Sequence, residues 1–273
     1  MLGRRVVTAL VLLAILLPAI FVFPPIVWGV VTLAFLAVGA WEWVRLLPGA
    51  PPARLAGGAV AAAGVAALAW RETAPWPAHA LTVLCLVLMA FWALAAPRRL
   101  ATHEARGGGW PLAVLLLFGC WLALLELRVL GPVPLLSSMA IVWVADIAAY
   151  FAGRAFGRRK LAPSISPGKS WEGAIGGALA VCALGLAAAS APSLQASLPA
   201  LLVQRAGVPL ALLALLAIAA LSVVGDLHES LLKREAGVKD SGWILPGHGG
   251  VLDRIDALIP TMPASLLLYE LLR

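Results

Sequence analysis

The chain has 273 residues, of which 62% are hydrophobic and only 12% are charged, and its mean hydropathy is +0.98. So few charges exclude a soluble globular protein and indicate an integral membrane protein. The formal net charge of +7 does not indicate a nucleic-acid partner, because the basic residues lie in short loops between apolar segments and form no long basic patch.

Apolar segments of membrane-crossing length recur along the whole chain. About 17 to 25 helical residues cross roughly 30 Å of hydrocarbon, and only helices or closed barrels satisfy the backbone hydrogen bonds there. The pattern predicts an all-α fold, a polytopic integral membrane bundle of about nine transmembrane helices. In chain order, the predicted segments are residues 6–23, 26–46, 55–70, 77–96, 110–127, 132–151, 173–190, 208–225 and 257–272.

The Lys and Arg residues predict the orientation of these helices. Cytoplasmic loops are enriched in Lys and Arg, and with a cytoplasmic N-terminus most of the 20 Lys and Arg residues fall on that side. We therefore predict a multi-pass protein of the cell inner membrane whose functional site faces the cytoplasm. The basic residues predicted on the outer side are Arg71, Arg128, Arg205 and Arg273.

The polar residues divide the chain into two parts. Residues 1–130 are almost purely apolar within the predicted helices and are interpreted as a transmembrane scaffold. Residues 131–273 are interpreted as a transmembrane catalytic part with cytoplasmic loops, because acids occur inside or at the ends of its helices. A carboxylate inside a membrane is unfavourable and by default marks a functional site. These acids are Asp146, Glu172, Asp226, Glu229, Asp253 and Asp256.

Two polar clusters surround the connection between the sixth and seventh predicted helices. In WVADIAAYFAGRAFGRRK (143–160), Asp146 needs a cation, a metal ion or a proton, because burying an unpaired carboxylate costs several kcal/mol. The basic run that follows is also typical of a loop that touches anionic lipid headgroups. In SISPGKSWEG (164–173), Ser166 and Ser170 are candidate helix N-caps, and Lys169 is a candidate phosphate contact. A capped loop with a surface lysine would have the same sequence, so both interpretations stay open.

The third polar cluster spans residues 224–256 and contains carboxylates suited to a metal ion. Asp226 follows the eighth apolar segment, and Asp253 and Asp256 follow the glycine-rich stretch PGHGG with i, i+3 spacing. Carboxylate oxygens are ligands that Mg²⁺ prefers, which predicts a magnesium site at these three aspartates. Taken alone, the stretch DRID would also suit a helix N-terminus in which acids favour the helix dipole and Arg254 reaches the interface.

Basic residues accompany these acids in the same segment. If residues 225–235 are helical, Ser230 and Lys233 share a face with Asp226. Acids for a metal ion beside cations for phosphate oxygens are what phosphoryl or nucleotidyl transfer requires. His248 is interpreted as either a proton carrier or a hydrogen-bonding turn residue. The candidate phosphate-binding residues are Lys233, Arg234, Lys239 and Arg254.

The segment SLLKREAGVKDSGWILPGHGGVLDRID (230–256) resembles the C-terminal motif of the phosphatidate cytidylyltransferase (CDP-diacylglycerol synthase) family, with no departure at the fixed polar positions. Two upstream segments, DIAAYFAG (146–153) and SPGKSWEG (166–173), are also similar to family segments. The resemblance covers about residues 140–260, and the earlier residues share only an apolar, multispan character. The matching polar positions are Ser230, Lys233, Arg234, Lys239, Asp240, His248, Asp253, Arg254 and Asp256.

The resemblance implies a Mg²⁺-dependent reaction in which CTP and phosphatidic acid give CDP-diacylglycerol and pyrophosphate, and it implies a homodimer. It suggests Asp226 and Asp253 as the main metal ligands, with Asp256 ligating directly or lying next to them. The four basic residues of the third cluster would hold phosphate groups, and Ser166 and Lys169 would contact the nucleotide. The other substrate-binding candidates are Ser230, His248 and Asp146.

Two other functions are compatible with charged groups in a membrane bundle. A CTP-dependent lipid-alcohol kinase would need the same metal and nucleotide but would transfer the γ-phosphate. A cation-coupled transporter would use Asp146, Asp226 and Asp253 along a path through the membrane. Transport predicts acids spread through the membrane depth, whereas most of these acids cluster at one predicted face, which favours the enzyme.

Overall fold

Helices form most of the chain in the computed structural model, which describes residues 2–49, 52–74, 76–77 and 79–272. A π-helical turn, Phe91–Ala95, joins α4 and α5 into one continuous helix. Arg273, predicted on the outer side, lies outside the described residues. The α-helices are α1 (Leu2–Phe21), α2 (Pro25–Arg45), α3 (Ala53–Thr73), α4 (Ala80–Ala90), α5 (Ala96–Thr102), α6 (Gly109–Leu130), α7 (Pro132–Phe156), α8 (Trp171–Ser190), α9 (Leu198–Glu235), α10 (Leu252–Ile255) and α11 (Leu258–Leu272).

Eight helical segments in the described part of the chain are long and apolar enough to cross a membrane. They are α2, α3, the continuous α4–α5 helix, α6, α7, α8, α9 and the α10–α11 segment. The apolar part of α1, Val6–Phe21, forms a further but shorter helix. The prediction of an all-α polytopic membrane bundle is therefore confirmed.

Long-range polar contacts between helix termini are concentrated at one end of the bundle. Short connections make successive helices run in alternating directions, so the C-termini of α2, α5, α7 and α9 lie at the same end as the N-termini of α6, α8 and α10. Side chains cross between these termini, for example from Arg106 to Glu235 at 3.2 Å and from Arg234 to the carbonyl of Ile165 at 3.3 Å. We call this the site end of the bundle.

The core lies around α6, which packs against α2, α3 and α11. Two buried tryptophans join α6 to α2 reciprocally: the indole N–H of Trp28 donates to the carbonyl of Leu124 at 3.0 Å, and that of Trp121 donates to the carbonyl of Gly29 at 2.8 Å. An indole buried in an apolar environment needs such a partner for its N–H. The scaffold is thus fixed by specific polar contacts as well as by apolar packing.

Helix α9 is longer at both ends than the predicted segment 208–225. It begins at Leu198 and bends at Gly207, whose φ of 78° and ψ of 164° interrupt the helix just before Pro209. It then continues to Glu235, so residues 225–235 are helical. The continuation carries one polar helix face beyond the apolar segment and places that face at the site end.

A close pair of helices carries a small hairpin at the site end. Helices α7 and α8 can approach closely because Gly173 and Gly177 of α8 have no Cβ. A Cβ on Gly173 or Gly177 would lie 2.8 or 2.6 Å from a backbone carbonyl oxygen of α7. Between them, β1 (Lys160–Ala162) pairs antiparallel with β2 (Ser166–Ser170). The interpretation of Ser166 as a helix cap is wrong, since this residue begins β2; Ser170 caps α8, and its hydroxyl accepts from the N–H of Gly173 at 3.2 Å.

Candidate functional site

A cavity of about 560 Å³ opens at the site end between α7, the β1–β2 hairpin, α9 and the N-terminus of α10. This volume is in the range of small-molecule binding sites. Each of the three polar clusters of the sequence contributes to its wall. The charged and hydroxyl side chains that line the cavity are Asp146, Tyr150, Arg154, Ser166, Lys169, Ser170, Asp226, Asp253, Arg254 and Asp256.

Three carboxylates in the cavity influence one another. Asp226 on α9 lies close enough to Asp146 on α7 and to Asp256 after α10 for their negative charges to repel. The Asp226 carboxylate is held by Lys169 of the hairpin, whose Nζ lies 2.5 Å from Oδ2. The hydroxyl of Ser230, one turn along α9, donates to Asp226 Oδ1 at 3.3 Å. Lys169 therefore forms its ion pair with Asp226, and no ion pair of Asp146 or Asp256 occurs in the described part of the chain.

A second group of charges lies beside the cavity and is more deeply buried. The Lys233 ammonium lies 2.5 Å from Glu229 Oε2 and 2.7 Å from Asp253 Oδ1, and all three side chains are at most 12% exposed. A single cation thus bridges two carboxylates of different segments. Lys233 therefore links α9 to the start of α10, and its positive charge is paired with carboxylates of the protein.

The carboxylate of Asp253 also organises the loop between α9 and α10. Its Oδ2 accepts from the backbone N–H of Gly250 at 2.8 Å and of Ser241 at 3.1 Å. Gly249 has a φ of 86°, and a Cβ there would lie 2.9 Å from the same oxygen. The stretch PGHGG therefore provides a backbone that can turn closely around Asp253.

Several predicted site residues lie outside the cavity lining. Arg234 donates to the carbonyls of Ile165 and Val238 at 3.3 and 3.4 Å, so it ties the hairpin to the end of α9. Lys239 is exposed on the loop. The predicted residues that do not line the cavity are Ser230, Lys233, Arg234, Lys239 and His248.

The turn at His248 is held by backbone and arginine contacts. The His248 N–H donates to the carbonyl of Leu245 at 2.8 Å. Its own carbonyl accepts from Nε of Arg254 at 3.0 Å and from Nη2 at 2.5 Å. These contacts give the turn interpretation a structural basis, and they leave the remainder of the Arg254 guanidinium at the cavity.

Two polar cavity residues of α7, Tyr150 and Arg154, were absent from the predicted site. Arg154 of α7 lines the cavity beside Tyr150 and donates to the Tyr150 hydroxyl at 3.4 Å. Together with Asp146 they are spaced i, i+4 and i+8, which places them on one face of α7. Extending the helical face that begins at Asp146 would have found both residues.

The carboxylates of the cavity have the donor chemistry of a magnesium site without a closed cage. Within the described ranges, no cluster of three or more His, Cys, Asp or Glu side chains has the geometry to hold a metal ion. Mg²⁺ is usually bound by one or two carboxylates together with waters and substrate phosphates. Asp226 with Asp146 or Asp256 fits this open type of site, whereas both oxygens of Asp253 already accept from Lys233 and backbone N–H groups.

The fold and this cavity define a polytopic membrane protein with acidic and basic groups suited to phosphate chemistry. The sequence model of the "Cytidylyltransferase family" matches residues 3–272, and the chain belongs to this family.

Curated relatives are similar over nearly the whole chain. The phosphatidate cytidylyltransferase of Pseudomonas aeruginosa is 42% identical over 96% of this chain and 95% of its own length. That of Haemophilus influenzae is 36% identical over 96% of both chains. That of Bacillus subtilis is 40% identical over 59% of this chain and 57% of its own.

Proposed function

We propose that this protein is a phosphatidate cytidylyltransferase: CTP and phosphatidic acid give CDP-diacylglycerol and pyrophosphate. The relatives with this name match nearly the whole chain. The observation that carries the proposal is the cavity at the site end, where Asp146, Asp226 and Asp256 lie beside Lys169 and Arg254. A triphosphate with a divalent cation and a lipid phosphate are complementary to this mixture of charges.

The reaction needs positioning more than proton transfer. An oxygen of the lipid phosphate forms a bond to the α-phosphorus of CTP, and the bond from that phosphorus to the bridging oxygen of the leaving pyrophosphate breaks. A phosphate monoester is already a nucleophile near neutral pH, so the chain need not supply a strong base. Holding both phosphates in line and neutralising their repulsion accounts for most of the barrier reduction.

The cavity residues divide into two roles in this proposal. Asp226, with Asp146 or Asp256, would hold Mg²⁺, which supplies charge neutralisation at the phosphates when it is bound. Lys169, Arg154 and Arg254 carry positive charges on the cavity wall and would bind phosphate oxygens.

Three other predicted residues would act through the residues that line the cavity. Ser230 supports Asp226, Lys233 pairs with Asp253, and Arg234 holds the hairpin. Asp253, on the cavity wall, stays a candidate metal ligand. Lys239, exposed on the loop, stays a candidate phosphate contact. Ser166 on the cavity wall and His248 in the turn stay candidates for the nucleotide side.

We propose that the site end faces the cytoplasm of a bacterial inner membrane. The predicted excess of Lys and Arg on this side supports the orientation, and CTP is then available where the cavity opens. A homodimer, implied by the family resemblance, is part of the same proposal. Cysteine accessibility of Ser164→Cys in right-side-out and inverted vesicles tests the orientation, and cross-linking in native membranes tests the dimer.

Transfer of label from α-labelled CTP tests the function directly. Purified protein in detergent is incubated with phosphatidic acid and the labelled nucleotide, with and without Mg²⁺. The proposal predicts label in the lipid and release of pyrophosphate, both dependent on the metal ion. Label that stays in CDP would indicate a kinase, and substrate uptake into liposomes without lipid labelling would indicate a transporter.

A further inference from the structure

A carboxylate of the scaffold half reaches the loop that carries the catalytic motif. Glu42, near the end of α2 at the site end, is 0% exposed. Its Oε2 accepts from the backbone N–H of Leu252 at 2.8 Å and from the hydroxyl of Ser241 at 3.2 Å. Its Oε1 has no hydrogen-bond partner among the described residues. Glu42 is thus a buried acid whose polar contacts are all to the segment 241–252.

The same loop residues also contact Asp253. The backbone N–H of Ser241 donates to Asp253 while its hydroxyl donates to Glu42. The N–H of Gly250 donates to Asp253 and that of Leu252 donates to Glu42. The carboxylates of Glu42 on α2 and Asp253 on α10 therefore bind the loop at the same two places, which are Ser241 and residues 250–252.

Two glycines of this loop, Gly242 and Gly250, lie against the Glu42 carboxylate, and a Cβ on Gly250 would also collide with the Ser241 hydroxyl that donates to Glu42. Neither Gly242 nor Gly250 has a positive φ, so an L side chain would be allowed by conformation. A Cβ on Gly242 would collide with Glu42 Oε1, and one on Gly250 would lie 2.7 Å from Glu42 Oε2. At these two positions the absence of a Cβ leaves room for the carboxylate to approach the loop backbone.

A buried carboxylate is kept at this place although an apolar side chain would avoid its desolvation. Burial of a charge is unfavourable unless hydrogen bonds compensate it, and a carboxylate can accept from several donors at once. The donors are backbone and hydroxyl groups that a methyl group could not hold. The contact therefore fixes the position of the loop rather than merely filling space.

We propose that Glu42 is a positioning residue for the transfer reaction. It holds segment 241–252 so that Asp253 stays at the cavity wall in a fixed geometry, paired with Lys233 of α9 beside the cavity. The inference rests on the proposed function for its kinetic part only. It makes the scaffold half a direct structural determinant of the site.

The first test compares Glu42→Gln with Glu42→Ala. The glutamine carbonyl can accept from Leu252 and Ser241, and its amide group takes the place of Oε1, which has no partner to lose. We expect Glu42→Gln to keep kcat within about threefold of wild type, since the accepted hydrogen bonds persist. Glu42→Ala removes both contacts, and a misplaced site typically loses on the order of 10²-fold in rate. We expect that loss in kcat, with KM for CTP within about threefold.

Hydrogen exchange without substrate provides a readout that does not depend on the activity. In Glu42→Ala the amides of Ser241, Gly250 and Leu252 should exchange at least about tenfold faster. Leu252 loses its acceptor, and the amides of Ser241 and Gly250, which donate to Asp253, lie in the loop that Glu42 no longer holds. Amides of the α6 core should keep their protection. The matched control is Glu126→Ala, a buried acid of α6 at the opposite end of the bundle; it should leave exchange in the loop and kcat unchanged.

A Gly242→Ala variant tests the same contact from the other side. The added Cβ should displace the Glu42 carboxylate, reproducing the kcat loss and the faster exchange. In the double variant with Glu42→Ala the collision is gone, so the two losses should be strongly non-additive. This pair keeps the test decisive even if Glu42→Ala alone does not fold.

Three results would overturn the positioning role. They are unchanged kcat and loop exchange in Glu42→Ala, loss of activity in Glu42→Gln with a fully protected loop, and additive losses in the double variant. If wild-type protein failed to label phosphatidic acid, the proposed function would fall, but the exchange result would still decide whether Glu42 holds the loop.

Discussion

The acids at the two ends of the bundle differ in how their negative charge is compensated. Away from the cavity, Glu126 lies 2.8 Å from Arg71, and its Oε1 also accepts from the indole of Trp76 at 2.9 Å. One acid is matched there by one cation. At the site end, Lys169 pairs with Asp226, whose negative charge also repels those of Asp146 and Asp256.

This difference in charge compensation distinguishes charges that stabilise the fold from charges that are available to bind a ligand. A matched pair satisfies itself and has no need for a further partner. Surplus carboxylates in a low-dielectric setting are unfavourable unless a cation completes them, which explains why a divalent ion and its phosphates suit the cavity. The charge balance of a cluster is thus more informative about function than the presence of acids alone.

The largest effect should come from removing one of the surplus carboxylates. Asp226→Asn keeps the side-chain volume but removes charge from the proposed metal site, so transfer of label from CTP should fall by about 10³-fold. Thermal unfolding in detergent should change little. The control is Glu126→Gln, which should reduce stability but keep activity per folded molecule; an active Asp226→Asn enzyme would remove the basis of the comparison.

The two lysines of the site end should differ in what they support. Lys233→Met leaves Glu229 and Asp253 buried without their cation, and loss of one member of a buried ion pair costs about 3–5 kcal/mol. A lower midpoint of thermal unfolding should result, and Lys233→Arg should restore much of it. Lys169→Met affects a partly exposed pair, so stability should hold while KM for CTP rises at least about tenfold. Equal destabilisation by both changes would contradict this division.

The turn around Asp253 should be sensitive to a single methyl group. Gly249→Ala places a side chain at a φ of 86°, which costs about 1–2 kcal/mol, and also crowds the Asp253 carboxylate. We expect a lower unfolding midpoint and reduced transfer. Gly58→Ala in α3, where a Cβ meets nothing within 4 Å, is the matched control and should be neutral or stabilising by up to about 1 kcal/mol.

The smallest effect is expected at the matched pair itself. Arg71→Gln breaks a partly exposed ion pair and should lower the free energy of unfolding by about 1 kcal/mol. Activity per folded molecule should stay at the wild-type level, because the pair lies far from the cavity. A selective loss of kcat in Arg71→Gln would show that this end also influences the reaction.

The length of the apolar segments and the positions of the charges predicted the fold, but they did not predict the contacts within the site. Long apolar segments must be helical in a membrane, so the helices were predictable. The hairpin that carries Lys169 was not, because strands of three and five residues leave no periodic pattern. The interpretation of Ser166 as a cap failed for the same reason.

Within the site, the sequence predicted which residues gather but not what each one contacts. The i, i+3 spacing of Asp253 and Asp256 predicts neighbouring carboxylates, yet only the folded loop shows that backbone N–H groups already occupy Asp253. Glu42 is the single acidic residue of the predicted segment 26–46, and its hydrogen-bond partners are about 200 residues away in sequence. Such long-range contacts have no local signature, although an acid inside a predicted span was a signal that could have been followed.

The kinked helix α9 has a consequence for the depth at which the chemistry occurs. At a rise of about 1.5 Å per residue, Asp226 lies roughly 14 Å before the C-terminal residue of α9, Glu235. Asp146 lies a similar distance, about 15 Å, before the end of α7 at Phe156. The cavity is therefore sunk between the helices instead of standing on top of them. In the proposed reaction, a lipid headgroup would enter between the helices, and the water-soluble nucleotide would be the substrate that moves to it.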